Sequence, residues 1–142
     1  MNEEERSSHL VALDDELLKG GVILSEWCSF IVREADVAFV KGAHLASIMT
    51  AVAGIETYLR SEYAHGKKST FFHLIDESPI DNGLRTELHT LRKYRNKWVH
   101  VEEPWDDAEL LSSPETFEAE CEEMAFRAVR VLRKTIYENL WI

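Results

Sequence analysis

The side chains best equipped for chemistry lie close together near position 95. Arg95, Asn96 and His100 bring a guanidinium, a carboxamide and an imidazole into one short segment. An imidazole titrates near neutrality and can take or give a proton, whereas a guanidinium offers a planar fork that matches two oxygens of a phosphate. Leu84, Leu88, Leu91 and Trp98 recur at three- and four-residue intervals, which predicts a helix over 84–99 that stops before Pro104. At about 100° per residue, that helix places Arg85, His89, Arg92 and Asn96 within about 60° of one another, beside the apolar stripe. His100 joins them if the turn continues. Arg95 falls instead between Leu91 and Trp98, on the apolar side. A guanidinium there must be paired, reach out to water or face an interface, because an isolated buried charge is too costly to keep. A structural ion pair with a core carboxylate such as Glu56 answers that demand, and so does a role in a site.

Charge sharpens the picture. The 142-residue chain carries a net charge of −10, which argues against a protein that coats nucleic acid through a broad basic surface. Residues 85–97 nevertheless hold five bases, Arg85, Arg92, Lys93, Arg95 and Lys97, against the single acid Glu87. The positive charge is focused on the helix that carries the candidate site. Residues 102–123 are the counterpart, with ten carboxylates and no Lys or Arg, and read either as a solvated face or as an acidic guard beside the basic segment.

The elements that must position these groups read as helices throughout. Leu10, Leu13, Leu17 and Leu18 follow a helical period after a flexible start at 1–8, and Gly20-Gly21 supplies a stop. A second helix is expected over 22–40, with a break at Lys41-Gly42. The third, over 43–63, should be central: Leu45, Ile48, Met49, Val52, Ile55 and Leu59 fill the core, while Ala46, Ala51, Ala53 and Gly54 permit close approach. Ser69 is expected to cap a short helix holding Phe71, Phe72, Leu74 and Ile75, and Pro79 to open the next element. Ser113-Pro114-Glu115 reads as the start of a last helix reaching about 139, basic toward its end at Arg127, Arg130, Arg133 and Lys134 as the helix dipole prefers. The expectation is one all-α domain over 1–142, an antiparallel bundle of four to five helices.

Neither Cys28 nor Cys121 has a partner spacing for a metal or a redox pair, which favours a reducing, cytoplasmic setting. The acidic start does not read as a signal peptide, and no apolar run suits a membrane span. Glu62 and His65 have a metal-type spacing without the second copy that a di-iron bundle needs, so neither a metal nor another cofactor is expected. Trp98 and Trp105 flank His100; stacking on bases is open to them, and packing is the commoner use of such rings.

The run Leu91-Arg92-Lys93-Tyr94-Arg95-Asn96-Lys97-Trp98-Val99-His100 resembles the signature of the HEPN superfamily, an Arg followed by a polar residue, often Asn, and then by a His. The segment Gly54-Ile55-Glu56-Thr57-Tyr58-Leu59-Arg60 looks like the HEPN helix that carries an acid, and the resemblance spans roughly 35–137. It implies an all-α bundle that forms a homodimer in which two such motifs share one cleft, and frequently a metal-independent endoribonuclease of toxin–antitoxin or antiviral defence systems. Arg95, Asn96 and His100 would then be catalytic. Asn96 would orient His100 or the phosphate, and Glu56 would lie behind them as an orienting acid. Arg92, Lys93, Lys97 and His89 would hold the RNA. Some such toxins carry a modified Tyr two residues after the His; here that place is Glu102, so this control is not expected. Other members are catalytically silent modules that bind a nucleotide or a partner protein, such as an antitoxin.

Overall fold

A computed structural model of the protein describes residues 1–18, 24–64, 67–105, 110 and 112–137. Six helices carry the described residues: α1 (Glu3–Leu17), α2 (Glu26–Val40), α3 (His44–Leu59), α4 (Phe71–Glu77), α5 (Asn82–Val99) and α6 (Pro114–Ile136). A wider π-helical turn at Arg60–Ala64 extends α3. There is no strand among the described residues, and no helix there is long and apolar enough to cross a membrane.

Four starts share one device. The side chains of Asn2, Ser25, Thr70 and Asp81 accept the backbone N–H three residues on, from Glu5, Cys28, His73 and Leu84. Each satisfies a donor that a helix would otherwise leave orphaned. Residues 1–8 therefore do not form the loose start read from the sequence: Asn2 caps α1, and Glu3, Glu4 and Glu5 sit in its positive first turn. Thr70 takes the capping place expected of Ser69, whose carbonyl instead accepts from Arg60 at 2.9 Å. Asp81, not Pro79, opens α5. Pro114 occupies the first turn of α6 as expected, but Ser113 makes no side-chain capping bond. The expected α2 start at 22, the Gly20-Gly21 stop, His65 and the end of α6 near 139 lie outside the described residues.

α3 is the central helix. It packs against α2, α4, α5 and α6, while α1 closes over α2 and α6. Its turn back from α2 uses Gly42 at φ +82°, a left-handed conformation that a side chain would strain. Ile48, Val52, Ile55 and Leu59 are buried in the core, whereas Leu45 is exposed and Met49 half-buried, a correction to the expected core face. Gly54 is the closest crossing: a Cβ added there would lie 2.4 Å from Ile31 and 3.3 Å from Leu132. Ala51 is buried too, but Ala46 and Ala53 are exposed.

The basic end of α6 does more than suit the helix dipole. Arg133 is 1% exposed and donates from Nε to Asp14 at 2.8 Å and from Nη1 and Nη2 to the two oxygens of Asp36 at 2.8 and 2.6 Å. Burial pushes the Asp36 carboxyl up, and the guanidinium opposes that push. Burial also disfavours charge on Arg133, yet Asp36 and Asp14 together hold it above the usual arginine range. The ion pair joins α1, α2 and α6. A second polar knot sits at the other end of α1, where Glu122 of α6 receives Arg6 at 3.1 Å and the Met1 amino group at 3.0 Å, with His44 Nε2 3.5 Å away. Desolvation works against the Glu122 charge, but the amino group, Arg6 and His44 hold its carboxyl below the usual range.

Two measurements check these knots. Arg133→Ala leaves Asp36 without its counter-ion and should cost about 3 kcal/mol in urea denaturation. Arg133→Met with Asp36→Leu should recover most of that loss, and an Arg133→Ala midpoint equal to wild type would remove the network from the stability of the fold. His44, 6% exposed, is held below its ordinary 6.5 first by burial and then by Arg6 and the Met1 amino group, against the pull of Glu122 and Glu118. The unfolded chain therefore takes up a proton that the folded one resists, so stability falls as pH drops below 6.5 and is insensitive to His44 above it. In urea melts as a function of pH, His44→Gln should shallow that decline; an unchanged slope counts against it.

Candidate functional site

α5 is fixed from three sides. Leu84, Leu88 and Leu91 are buried, and α3, α4 and α6 all pack against the helix. Glu87, the only acid in the basic segment, is taken up by α6: Arg130 lies 3.4 Å and Lys134 3.2 Å from its carboxylate. Tyr94 Oη meets Cys121 Sγ at 3.2 Å on the same seam. Burial, with Cys121 next, pushes the Tyr94 phenol well above its ordinary range, so it stays neutral.

The stripe read from the sequence is present but unequal. Arg85 is consumed by structure: Nε donates to the Ile75 carbonyl at 3.3 Å, Nη2 to those of Ser78 and Ile80 at 3.0 and 3.1 Å, and Nη1 to Asn82 at 2.5 Å. It closes the end of α4 and the bend into α5. His89 Nε2 lies 2.7 Å from Asp76, and its Nδ1 accepts from Arg92 Nε at 3.3 Å. With Nδ1 accepting from Arg92, Nε2 is the nitrogen left to donate to Asp76. His89 thus links Asp76 of α4 to Arg92 of α5. Arg92 lies 5.0 Å over the ring of Phe72.

Arg95 lies near Glu56, as the ion-pair reading expects. Its Nε and Nη2 donate to Asn96 Oδ1 at 3.2 and 2.8 Å, its Nη1 stands 3.8 Å from Glu56 Oε1, and the group lies over Phe71 at 5.8 Å. The Arg95 side chain keeps 23% of its surface exposed. Glu56 gives its closer bond, 3.0 Å, to Arg60, a cation the sequence reading passed over although the i,i+4 spacing was visible. Asn96 therefore holds Arg95.

His100 does not extend the stripe. Val99 is the last helical residue, and His100 caps the end with φ −113° and ψ 55°, its N–H still donating to the Asn96 carbonyl at 3.0 Å. Its imidazole is exposed. Lys93 is exposed as well. Lys97 is drawn across the rings of Tyr94, Trp98 and Phe117 at 5.4–5.7 Å, with Glu120 at 3.8 Å. Trp98 is half-buried beside Tyr94 and Phe117, as packing would have it, but Trp105 is 93% exposed and packs against nothing that would seal a core. Phe72 is 44% exposed. Its neighbour Asp76 was not legible, because a pairing between residues thirteen apart on two helices leaves no local signal.

Chemically, the end of α5 offers a partly exposed, oriented guanidinium and an exposed imidazole on adjoining turns, flanked by further cations. Among the described residues no group of three His, Cys, Asp or Glu is placed to hold a metal ion. Arg85→Ala strips the charge-assisted bonds from three carbonyls and should cost about 2 kcal/mol in chemical denaturation. A loss below about a quarter of that would show that the bend holds itself without Arg85. A scan against family models, a search of curated proteins and a search of solved structures each returned no match to this chain.

Proposed function

We propose that the chain is a HEPN-type endoribonuclease that cleaves RNA without a metal ion, using Arg95, Asn96 and His100 from two copies of the chain in one shared site. The observation that carries this reading is the state of Arg95. It is oriented by the two bonds it donates to Asn96, stands no nearer than 3.8 Å to Glu56, and lies on the helix that is capped by the exposed His100. Among the described residues no carboxylate lies closer than 3.8 Å to Arg95, which supports a guanidinium able to take a phosphate.

The reaction such groups support is internal transfer. A base takes the proton of the 2′-hydroxyl, the 2′-oxygen attacks phosphorus, and the 5′-oxygen leaves with a proton from an acid. The products are a 2′,3′-cyclic phosphate and a 5′-hydroxyl. Arg95 stabilises the charge that builds on the phosphate oxygens. One imidazole serves poorly as acid and base in the same step, whereas a two-fold dimer supplies two copies of His100 to one site. Lys93 on the exposed side of α5 adds backbone contacts that carry no sequence preference.

A second reading has its own observation. Val99 within the motif and Val101 and Trp105 just beyond it are all exposed, and such side chains suit a silent module that grips a partner protein. Purified protein in EDTA separates the two. Wild type should cut single-stranded RNA and leave cyclic-phosphate ends, and His100→Ala should lower the rate by at least about a hundred-fold. Equal cleavage by both proteins, or none by either, overturns the nuclease reading. Loss of a partner on Trp105→Ala with His100→Ala harmless establishes the second.

A further inference from the structure

Three aromatic or cationic groups on the outer side of the α4–α5 pair find no use in the fold's core. Phe72 of α4 is 44% exposed, an uneconomical place for a phenyl ring on a helix whose other large apolar residues, Phe71, Leu74 and Ile75, are buried. Around it stand Arg92 at 5.0 Å, the His89 ring at 5.0 Å and a 45° tilt, and the His73 ring edge-on at 5.4 Å. Asp76 holds His89 at 2.7 Å and His89 holds Arg92 at 3.3 Å, so a carboxylate orients an imidazole and the imidazole orients the guanidinium above the ring. The bond to His89 engages Nε rather than the terminal amino groups of the fork.

We infer that Phe72, with Arg92 and His73, forms a stacking subsite for an unpaired base of single-stranded RNA next to the phosphate held at Arg95. The inference rests on the nuclease reading for its substrate class and adds a place where that substrate is gripped. Base stacking on aromatic rings and on guanidinium planes is tolerant of sequence and needs only an accessible π-face. Arg92 and Asn96 are one turn apart on one face of α5, about 6 Å along the axis, a span on the order of a single nucleotide step. A duplex keeps its bases stacked on each other and cannot offer one to Phe72. Asp76 and His89 serve as positioning residues; the ring and the guanidinium make the contact.

The test measures binding apart from cleavage. A fluorescein-labelled single-stranded RNA of mixed sequence is titrated into full-length His100→Ala protein, with the same sequence as a duplex alongside. Adding Phe72→Ala should weaken single-strand binding about ten-fold and leave duplex binding unmoved. Phe72→Trp should restore the affinity where Phe72→Leu does not, which separates a stacked ring from mere apolar bulk. Arg92→Lys, which keeps the charge and loses the plane, should fall between. Single-strand affinity indifferent to Phe72→Ala overturns the subsite even when cleavage depends on His100. A fully active His100→Ala protein that still needs Phe72 for binding upholds the subsite and removes the catalytic assignment instead. A change of oligomeric state on Phe72→Ala, without a change in RNA affinity, assigns the ring to a protein contact and overturns the proposal.

Discussion

Arg133 is sealed inside the bundle, and its charge persists there only while Asp14 of α1 and Asp36 of α2 sit against it. Such a triad adds little net stability over a well-packed apolar replacement, but breaking it strands a charge out of water. Its structural effect is therefore a constraint on geometry. α6 cannot slide along α2, nor α1 lift from either, without exposing the mismatch. Tyr137 adds its hydroxyl to Asp14 at 3.3 Å, and burial followed by the neighbouring Asp14 pushes that phenol up to about 12, so it remains a neutral donor.

Within that frame α3 is wedged between α2 and α6, and Gly54 sets how close it comes. The distance matters to the candidate site because Glu56 and Arg60 ride on α3 and the turn after it. From there they reach Arg95 and the Ser69 carbonyl. Arg60 thereby ties the approach to α4 to the same place, and Arg85 ties the exit of α4 to α5. The cations of α5 divide accordingly into one that builds the bend, one held over Phe72, one held by Asn96, and the more exposed lysines. A helix that looks uniformly basic in composition is chemically graded along its length.

The acidic run behaves in a similar way. Glu122 knots the N-terminal end of α1 to α6 and Glu120 stands beside Lys97, so part of the run is spent within the fold. Glu102, Glu103 and Trp105 remain exposed beside His100. A strongly negative chain can thus keep a short positive surface intact, because its acids are drawn to cations elsewhere and Glu87 is turned into the α5–α6 seam. The potential near a groove depends on this local arrangement more than on the net charge.

Period and composition are enough to read an all-helical fold, a central helix over 43–63 and a basic, amphipathic helix over 84–99 that bears Arg95 and Asn96 and leads to His100, since these follow from side-chain spacing along one segment. The Glu56–Arg95 proximity was legible too, because a charge on an apolar stripe demands a partner. Contacts across segments were not legible. Arg133 reads only as a base suited to the helix dipole and proves buried against acids of two other helices, Phe72 reads only as a ring on a short helix and proves exposed, and no spacing pairs His89 with Asp76. Each depends on which face of one helix meets which face of another, and that is settled by the packing of α1, α2, α3 and α6 around a shared charge. Local spacing says what a face carries; only the assembled bundle decides what covers it.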